Sequence, residues 1–290
     1  MRGAELFLKA LQKIGSSVNR MLSRGDSRYF KGDYESIEIE ALFPNKKPLS
    51  LYETPIGKYV IPSDIRTDVI AAAMKSGKIF DENIIHAASK YIEEGSCVLD
   101  VGANFGQMSI EFSKLVGGGG ASGKVYSFEA DPYIFEILKL NLNLNAARCV
   151  TPVFGAVWNK LGQSVFYPEP DFKRFKSYGS YGIDPRAKAG RELKTITIDS
   201  LDLKERVSFL KVDIQGSDLF ALQGAKQTIL KNQMPIIFEY EEQFQSEFKT
   251  SFSDYERFIN EIGYKIVETV DSINYLLLPK KLSSENSSRS

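Results

Sequence analysis

Four acids stand inside or at the end of short apolar runs: Asp100 in "VLDVGANFG", Glu129 in "VYSFEADP", Asp213 in "FLKVDIQG" and Glu239 in "PIIFEYE". An acid that ends a strand can accept two hydroxyl hydrogen bonds with its two oxygens, or take a proton from a reacting group. Lys211 precedes Asp213 by two residues and so shares its face of the strand, where it can steady that carboxylate or a loop. Other chemistries are poorly supplied. The sole histidine is His86, placed among apolar neighbours on a helix and read as a surface or packing residue. The two cysteines, Cys97 and Cys149, are far apart. Neither a zinc site nor a Ser-His-Asp triad has its parts, and the thiols are expected to be free. No metal site is assigned.

"VLDVGANFG" reads as a buried strand that opens straight into a helix, with Gly102 and Gly106 allowing backbone to approach a ligand and the helix to pack closely. The spacing narrows the ligand. A dinucleotide turn needs G-x-G-x-x-G, and here the middle glycine is missing. "GGGGASGK" matches G-x-x-x-x-G-K over Gly118 to Lys124, but Val125 stands where a phosphate loop needs Ser or Thr, and the run precedes a strand. It reads as a flexible connection. S-adenosylmethionine carries no phosphate and suits the remaining pattern. Asp100 can organise the turn and meet the ligand's ammonium. The turn Gly102, Ala103, Asn104 and Gly106 can meet its methionine part. Glu129, followed by Ala130, can take both ribose hydroxyls. Asp131-Pro132 then starts the next helix.

These residues need a scaffold, and the hydrophobic periodicity supplies one. Strands at 97–102, 124–129, 150–154, 208–213 and 235–240 alternate with helices at 105–116, 132–145, 217–231 and 253–262. Ser253 and Glu256 read as a capping box for the last helix. "YKIVETVDSINYLLLP" closes the chain as two strands turning near Asp271-Ser272. The fold class is therefore α/β: a Rossmann-like, doubly wound, mostly parallel sheet with an antiparallel strand at the C-terminal edge. Residues 155–207 read as one long irregular region. Before the core lie a half-buried strand at 34–43, a hairpin "LSLYETPIGKYVIP", and helices at 64–75 and 81–93. The division is residues 1–75 as an N-terminal α/β extension, 76–280 as the main domain, and 281–290 as a disordered tail.

The 290 residues are 43% hydrophobic and 26% charged, with 37 basic and 37 acidic side chains. That balance gives no support to nucleic-acid binding. No apolar run is long enough to span a bilayer, and the N-terminus lacks a secretion-signal core, so cytoplasmic residence is the expectation. Residues 4–24 place Phe7, Leu11, Ile14, Val18 and Met21 on one helical face with basic residues around them. Such a helix can lie on an anionic membrane face or pack on its own domain or a second subunit. The oligomeric state is not legible.

The pattern resembles the FkbM family of class I S-adenosylmethionine-dependent methyltransferases. The resemblance runs from about residue 76 to 280: "DVGANFG", "YSFEADP" with Asn141 and Asn145 in the following helix, "TITIDSLDL" with Asp199, "FLKVDIQGSDLFALQGAKQTI" and "PIIFEYE". It implies a seven-stranded sheet and O-methylation, often of a hydroxyl on a sugar or other natural product. One position departs. Gln215 stands where the family usually has Glu, and Asp218 replaces a second Glu. An amide cannot act as a base but can orient a loop by hydrogen bonds. In-line methyl transfer to an alcohol needs alignment, exclusion of water and a base. Asp213 is the first candidate base and Glu239 the second, with Lys211 beside them. The stretch 168–194 reads as the acceptor lid. Tyr178, Ser180, Tyr181 and Gln215 are the expected acceptor contacts, and the lid's cations point to an anionic or nucleotide-linked glycan or a glycolipid. Two rivals stand beside this reading: a catalytically weak cofactor-binding regulatory module, and an NAD-dependent oxidoreductase.

Overall fold

The computed structural model describes residues 36–37, 49–62, 68–117, 122–167, 177–180, 182–187 and 190–281. The amphipathic segment 4–24, most of the strand expected at 34–43, residues 118–121 of the glycine run, Lys173, Arg174, Lys176, Tyr181, Lys188 and the tail after 281 lie outside the described residues.

Strands β1 (Ser36–Ile37), β2 (Leu49–Thr54) and β3 (Gly57–Pro62) form an antiparallel sheet, with Pro55-Ile56 as the hairpin turn. Helices α1 (Val69–Lys75) and α2 (Glu82–Ser89) follow. Next come β4 (Cys97–Val101), α3 (Gln107–Val116), β5 (Lys124–Glu129), α4 (Pro132–Leu144) and β6 (Val150–Phe154). The stretch read as irregular contains a second small sheet of β7 (Ala156–Val157), β8 (Ser164–Tyr167) and β9 (Arg191–Ile196), ordered β7-β9-β8. Strands this short leave only faint alternation, and their pairing is long-range, so periodicity alone did not expose them. The chain continues with β10 (Val207–Val212), α5 (Asp218–Gly224), α6 (Lys226–Asn232), β11 (Ile236–Glu239), α7 (Glu242–Phe248), α8 (Phe252–Glu261), β12 (Tyr264–Thr269) and β13 (Asn274–Pro279).

The main sheet has seven strands in the order β12-β13-β11-β10-β4-β5-β6. Strands β11, β10, β4, β5 and β6 are parallel, and β13 is antiparallel to both its neighbours. The closing hairpin turns back so that β13 lies between β11 and the edge strand β12. Every residue of β4 and β10 is buried, as expected of strands covered on both faces. Alternate residues feed two cores: Val98 and Phe209 pack with α2, α3 and α4, whereas Leu99 and Leu210 pack with α5, α6 and α8.

The leading hairpin shares the first of these cores through Leu49, Tyr59 and Ile61. Its outer edge is closed by two asparagines one helical turn apart. Asn141 accepts the Val60 N–H at 2.6 Å and donates to Val60 O at 3.1 Å. Asn145 does the same for Lys58, at 3.0 and 2.7 Å. An edge that would otherwise expose unpaired backbone groups is thereby satisfied.

Three element readings are corrected. The helix expected over 217–231 is two helices, α5 and α6, which part at Ala225. A Cβ on Gly224 would lie 1.9 Å from Trp158 O, so the helix end is pressed against the chain. Asp199 then caps the second piece, accepting from Gln227 N and Thr228 N at 2.9 and 2.8 Å. The capping box of α8 is Ser251 with Asp254 rather than Ser253 with Glu256, because the helix starts at Phe252. Helix α7 was not anticipated: its only strongly apolar residues are Phe244 and Phe248, spaced i, i+4 in an otherwise polar run.

Candidate active site

Strand order reverses between β4 and β10, so a crevice opens beyond their carboxyl ends. The register sets Lys211 directly opposite Asp100 on the same face. The Lys211 ammonium donates to Gly102 O at 3.0 Å and lies 3.4 Å from Asp100 Oδ1 and 3.3 Å from Asp213 Oδ2. Burial alone would lower its pKa, but the carboxylates of Asp213 and Asp100 outweigh burial and hold it above its ordinary value. Lys211 is therefore a fixed cation rather than a base. Asp100 is wholly buried and takes the Ser109 hydroxyl on its other oxygen. It is tied to the glycine turn through Lys211, and it is not among the residues that line the crevice.

The two glycines pack closely against the protein's own chain. Gly102 has φ +83°, and a Cβ there would sit 1.8 Å from Asp213 O. A Cβ on Gly106, at φ +86°, would lie 2.6 Å from Leu138 Cδ1. The bare backbone makes room for β10 and α4, the protein's own chain. Ala103 and Gly106 lie behind the crevice rather than on it.

Gly102, Asn104, Glu129 and Ala130 do face the crevice. Asn104 holds a left-handed conformation, φ 48°, and its side chain accepts its neighbour's Phe105 N–H at 2.7 Å. That fold-back aims the Asn104 N–H at Glu129 Oε2, 2.9 Å away. The other oxygen, Oε1, accepts from Ala130 N and Asp131 N, both at 2.8 Å. Burial pushes Glu129 up to about 7, against three N–H donors that favour its carboxylate. Asp131 caps α4 and meets Arg191 of β9 in a two-pronged pair at 3.1 and 3.0 Å, which fastens the small sheet beside the acid.

At the other end of the crevice stands Asp213, 26% exposed at its side chain. Gln215, left-handed at φ 54°, donates from Nε2 to Glu239 Oε2 at 2.9 Å and to Asp213 Oδ1 at 3.4 Å. Its amide thus lies between two acids. Burial, then Asp213 and Asp218, raise Glu239 well above the carboxylate range. Burial followed by Asp213 pushes Asp218 up to about 7, although it accepts the Gly216 N–H at 3.1 Å. Asp81, another left-handed residue, is pushed to about 6 by burial and then by Asp213. Glu239 and Lys211 touch the lining residues without lining the crevice themselves. Among the described residues, no three His, Cys, Asp or Glu side chains stand as a metal-ligand set.

Of the expected acceptor contacts, Tyr178 and Gln215 line the crevice. Ser180 instead turns back to Ser177 O at 2.9 Å. Sequence reasoning missed Ile70, Tyr167, the run Gly155–Val157, Ile183 and Ser217, all on the lining. They are mostly apolar or small residues brought in from separate elements, and nothing local marks them. The described lid cations are already paired: Arg186 with Glu247 and Asp184, Arg191 with Asp131, Lys194 with Glu192.

A switch-point crevice with an acid ending the second strand, and without a phosphate-binding glycine triplet, defines a nucleoside-cofactor site of the methyltransferase kind. Residues 100–266 match the family model described as the methyltransferase FkbM domain. The match covers more than half of the chain, and the chain belongs to the FkbM methyltransferase family. It is an S-adenosylmethionine-dependent methyltransferase. The solved structures that the chain resembles do so at low identity and at TM-scores below 0.5. The FkbM methyltransferase of Methylobacillus flagellatus is 18% identical, with TM-score 0.41 over 67% of this chain and 49% of that one, about half its length. An S-adenosylmethionine-dependent O-methyltransferase of Thermotoga maritima is 13% identical, with TM-score 0.42 over 76% and 72%. A protein of Streptococcus mutans described as a methyltransferase, in complex with S-adenosylhomocysteine, is 10% identical, with TM-score 0.39 over 68% and 94%. No curated protein matches the chain. Among the described residues, no helix is long and apolar enough to cross a membrane.

Proposed function

We propose that this chain methylates a hydroxyl oxygen on a sugar or related polyhydroxylated acceptor, with Asp213 as the base. The observation that carries the reading is the setting of Asp213: its carboxylate faces the crevice, with the Lys211 ammonium 3.3 Å behind it and the Gln215 amide at its side. When bound, S-adenosylmethionine supplies an electrophilic methyl group, and the donor set suits it. Glu129 already accepts three N–H groups and keeps a lone pair on Oε2 for a ribose hydroxyl. The backbone of Gly102 and Asn104 borders the methionine side, and Phe128, Ala156 and Val157 offer apolar walls to a purine.

The chain's own work is to orient the acceptor, exclude water and hold the proton. As the acceptor oxygen gains its methyl group, its proton passes to an oxygen of Asp213. Lys211 and Gln215 keep that carboxylate aimed. Burial and the Asp213 carboxylate raise Glu239, which favours its neutral form beside the base. Among the described residues the lid cations are engaged with acids, and the acids on the crevice wall are Asp213 and Glu129, which favours a neutral acceptor over an anionic one. The test is transfer of labelled methyl from S-adenosylmethionine to a panel of neutral glycans and sugar phosphates. Turnover confined to neutral hydroxyl acceptors, and lost in Asp213→Asn, supports the proposal. Turnover that Asp213→Asn leaves unchanged removes Asp213 as the base.

A further inference from the structure

Asp68 is 2% exposed, and its two carboxylate oxygens serve two segments far apart in sequence. Oδ1 accepts the Ala71 N–H at 2.8 Å, the cap bond of α1. Oδ2 accepts the Tyr178 N–H at 2.9 Å, 110 residues further along. Both segments are walls of the same crevice: Ile70 lines it from α1, and Tyr178, Gly179 and Ile183 line it from the opposite loop. The two walls touch, since a Cβ on Gly179 would lie 2.6 Å from Ile70 Cδ1. Tyr178 then carries the tie inward. Its ring centre is 6.1 Å from Phe105, in the glycine turn, and 5.7 Å from Tyr133, in the first turn of α4.

We propose that Asp68 is a positioning residue: it fixes the crevice wall at Tyr178 to the first turn of α1, so that residues ahead of the main sheet complete the binding site. Placing the cofactor in this crevice rests on the proposed function; the tie itself does not. A carboxylate suits the task because it can accept on both oxygens, whereas an amide can accept on only one. Asparagine caps helices about as well as aspartate. Asp68→Asn therefore keeps an acceptor for α1 and leaves Tyr178 without one, while Asp68→Ala removes both.

The experiment is amide hydrogen exchange on the full chain, wild type and both variants, with calorimetric titration of S-adenosylhomocysteine alongside. The expected result is exchange at Tyr178 about tenfold faster in both variants, the size of one lost charged hydrogen bond, with β4 amides at wild-type rates. Affinity for S-adenosylhomocysteine is expected to fall about threefold to tenfold. Wild-type exchange at Tyr178 in Asp68→Ala would overturn the tie. Faster exchange with unchanged affinity would overturn its role in the site and leave a purely structural bond. If wild type itself binds no S-adenosylhomocysteine, the cofactor reading fails, and the exchange data still decide the tie.

Discussion

The Lys211 ammonium lies 3.3 Å from Asp213 Oδ2 and is buried behind it, so the carboxylate that faces the crevice has a fixed cation at its back. The same cation faces Asp100 and holds the Gly102 carbonyl. One side chain therefore couples the glycine turn to the proposed base. Lys211→Met is expected to leave two buried or half-buried acids without their counter-ion, destabilising the fold by roughly 3–5 kcal/mol. Urea unfolding measures it, and a loss under about 1 kcal/mol would mean the pair is solvated like a surface bridge.

Asp213→Asn keeps the shape and removes the base. If proton transfer is its role, kcat falls by about 10²–10⁴, while affinity for S-adenosylhomocysteine stays near wild type. A parallel loss of affinity would place Asp213 in cofactor binding instead.

Gln215 donates to both Glu239 and Asp213. Gln215→Glu would set a third acid among them and replace two attractive contacts with repulsion. Turnover is expected to fall at least about tenfold without added metal, and Mn²⁺ titration should reveal binding absent from wild type. Wild-type turnover should be insensitive to EDTA. A gain of turnover in Gln215→Glu would instead show that the amide keeps this chain a weak catalyst, a cofactor-binding module more than an enzyme.

Stability should depend on pH in a defined direction. Asp218 is held at about 7 and Asp81 at about 6, both above the 3.8 of an ordinary aspartate. The fold favours their protonated forms, so their contribution is full below about pH 4 and is lost as pH rises through about 6 to 7. Urea midpoints between about pH 4 and 8 should decline, and Asp218→Asn should flatten the upper part of that decline. A midpoint that rises across this range would contradict these settings.

The sequence exposed the parts of the site that local chemistry marks. Strands β4, β5, β10 and β11 read directly as apolar runs, and their terminal acids Glu129, Asp213 and Glu239 came with them. Partners chosen by register did not read. Asp100 looked like a ligand contact because its opposite number, Lys211, lies 111 residues away on a neighbouring strand. Gly102 borders the crevice, and its clearance for the Asp213 carbonyl of a neighbouring strand end did not read. Asp68, Ile70 and Tyr178 meet only in three dimensions, and no periodicity announces such a contact. The small sheet β7-β9-β8 was missed because its pairings join β7 and β8 to a β9 more than 20 residues further on.

Glu129 is proposed to hold the cofactor's ribose from the end of β5, and calorimetric titration of S-adenosylhomocysteine checks that role. Wild type should bind at about micromolar Kd, near −8 kcal/mol. Because Glu129 is held at about 7 and accepts a hydroxyl best when ionised, affinity should rise about tenfold from about pH 6 to 8. Glu129→Ala should weaken binding by about 1.5–3 kcal/mol and abolish that pH dependence. Binding by Glu129→Ala as tight as wild type, with the same pH profile, would contradict the assignment of this crevice.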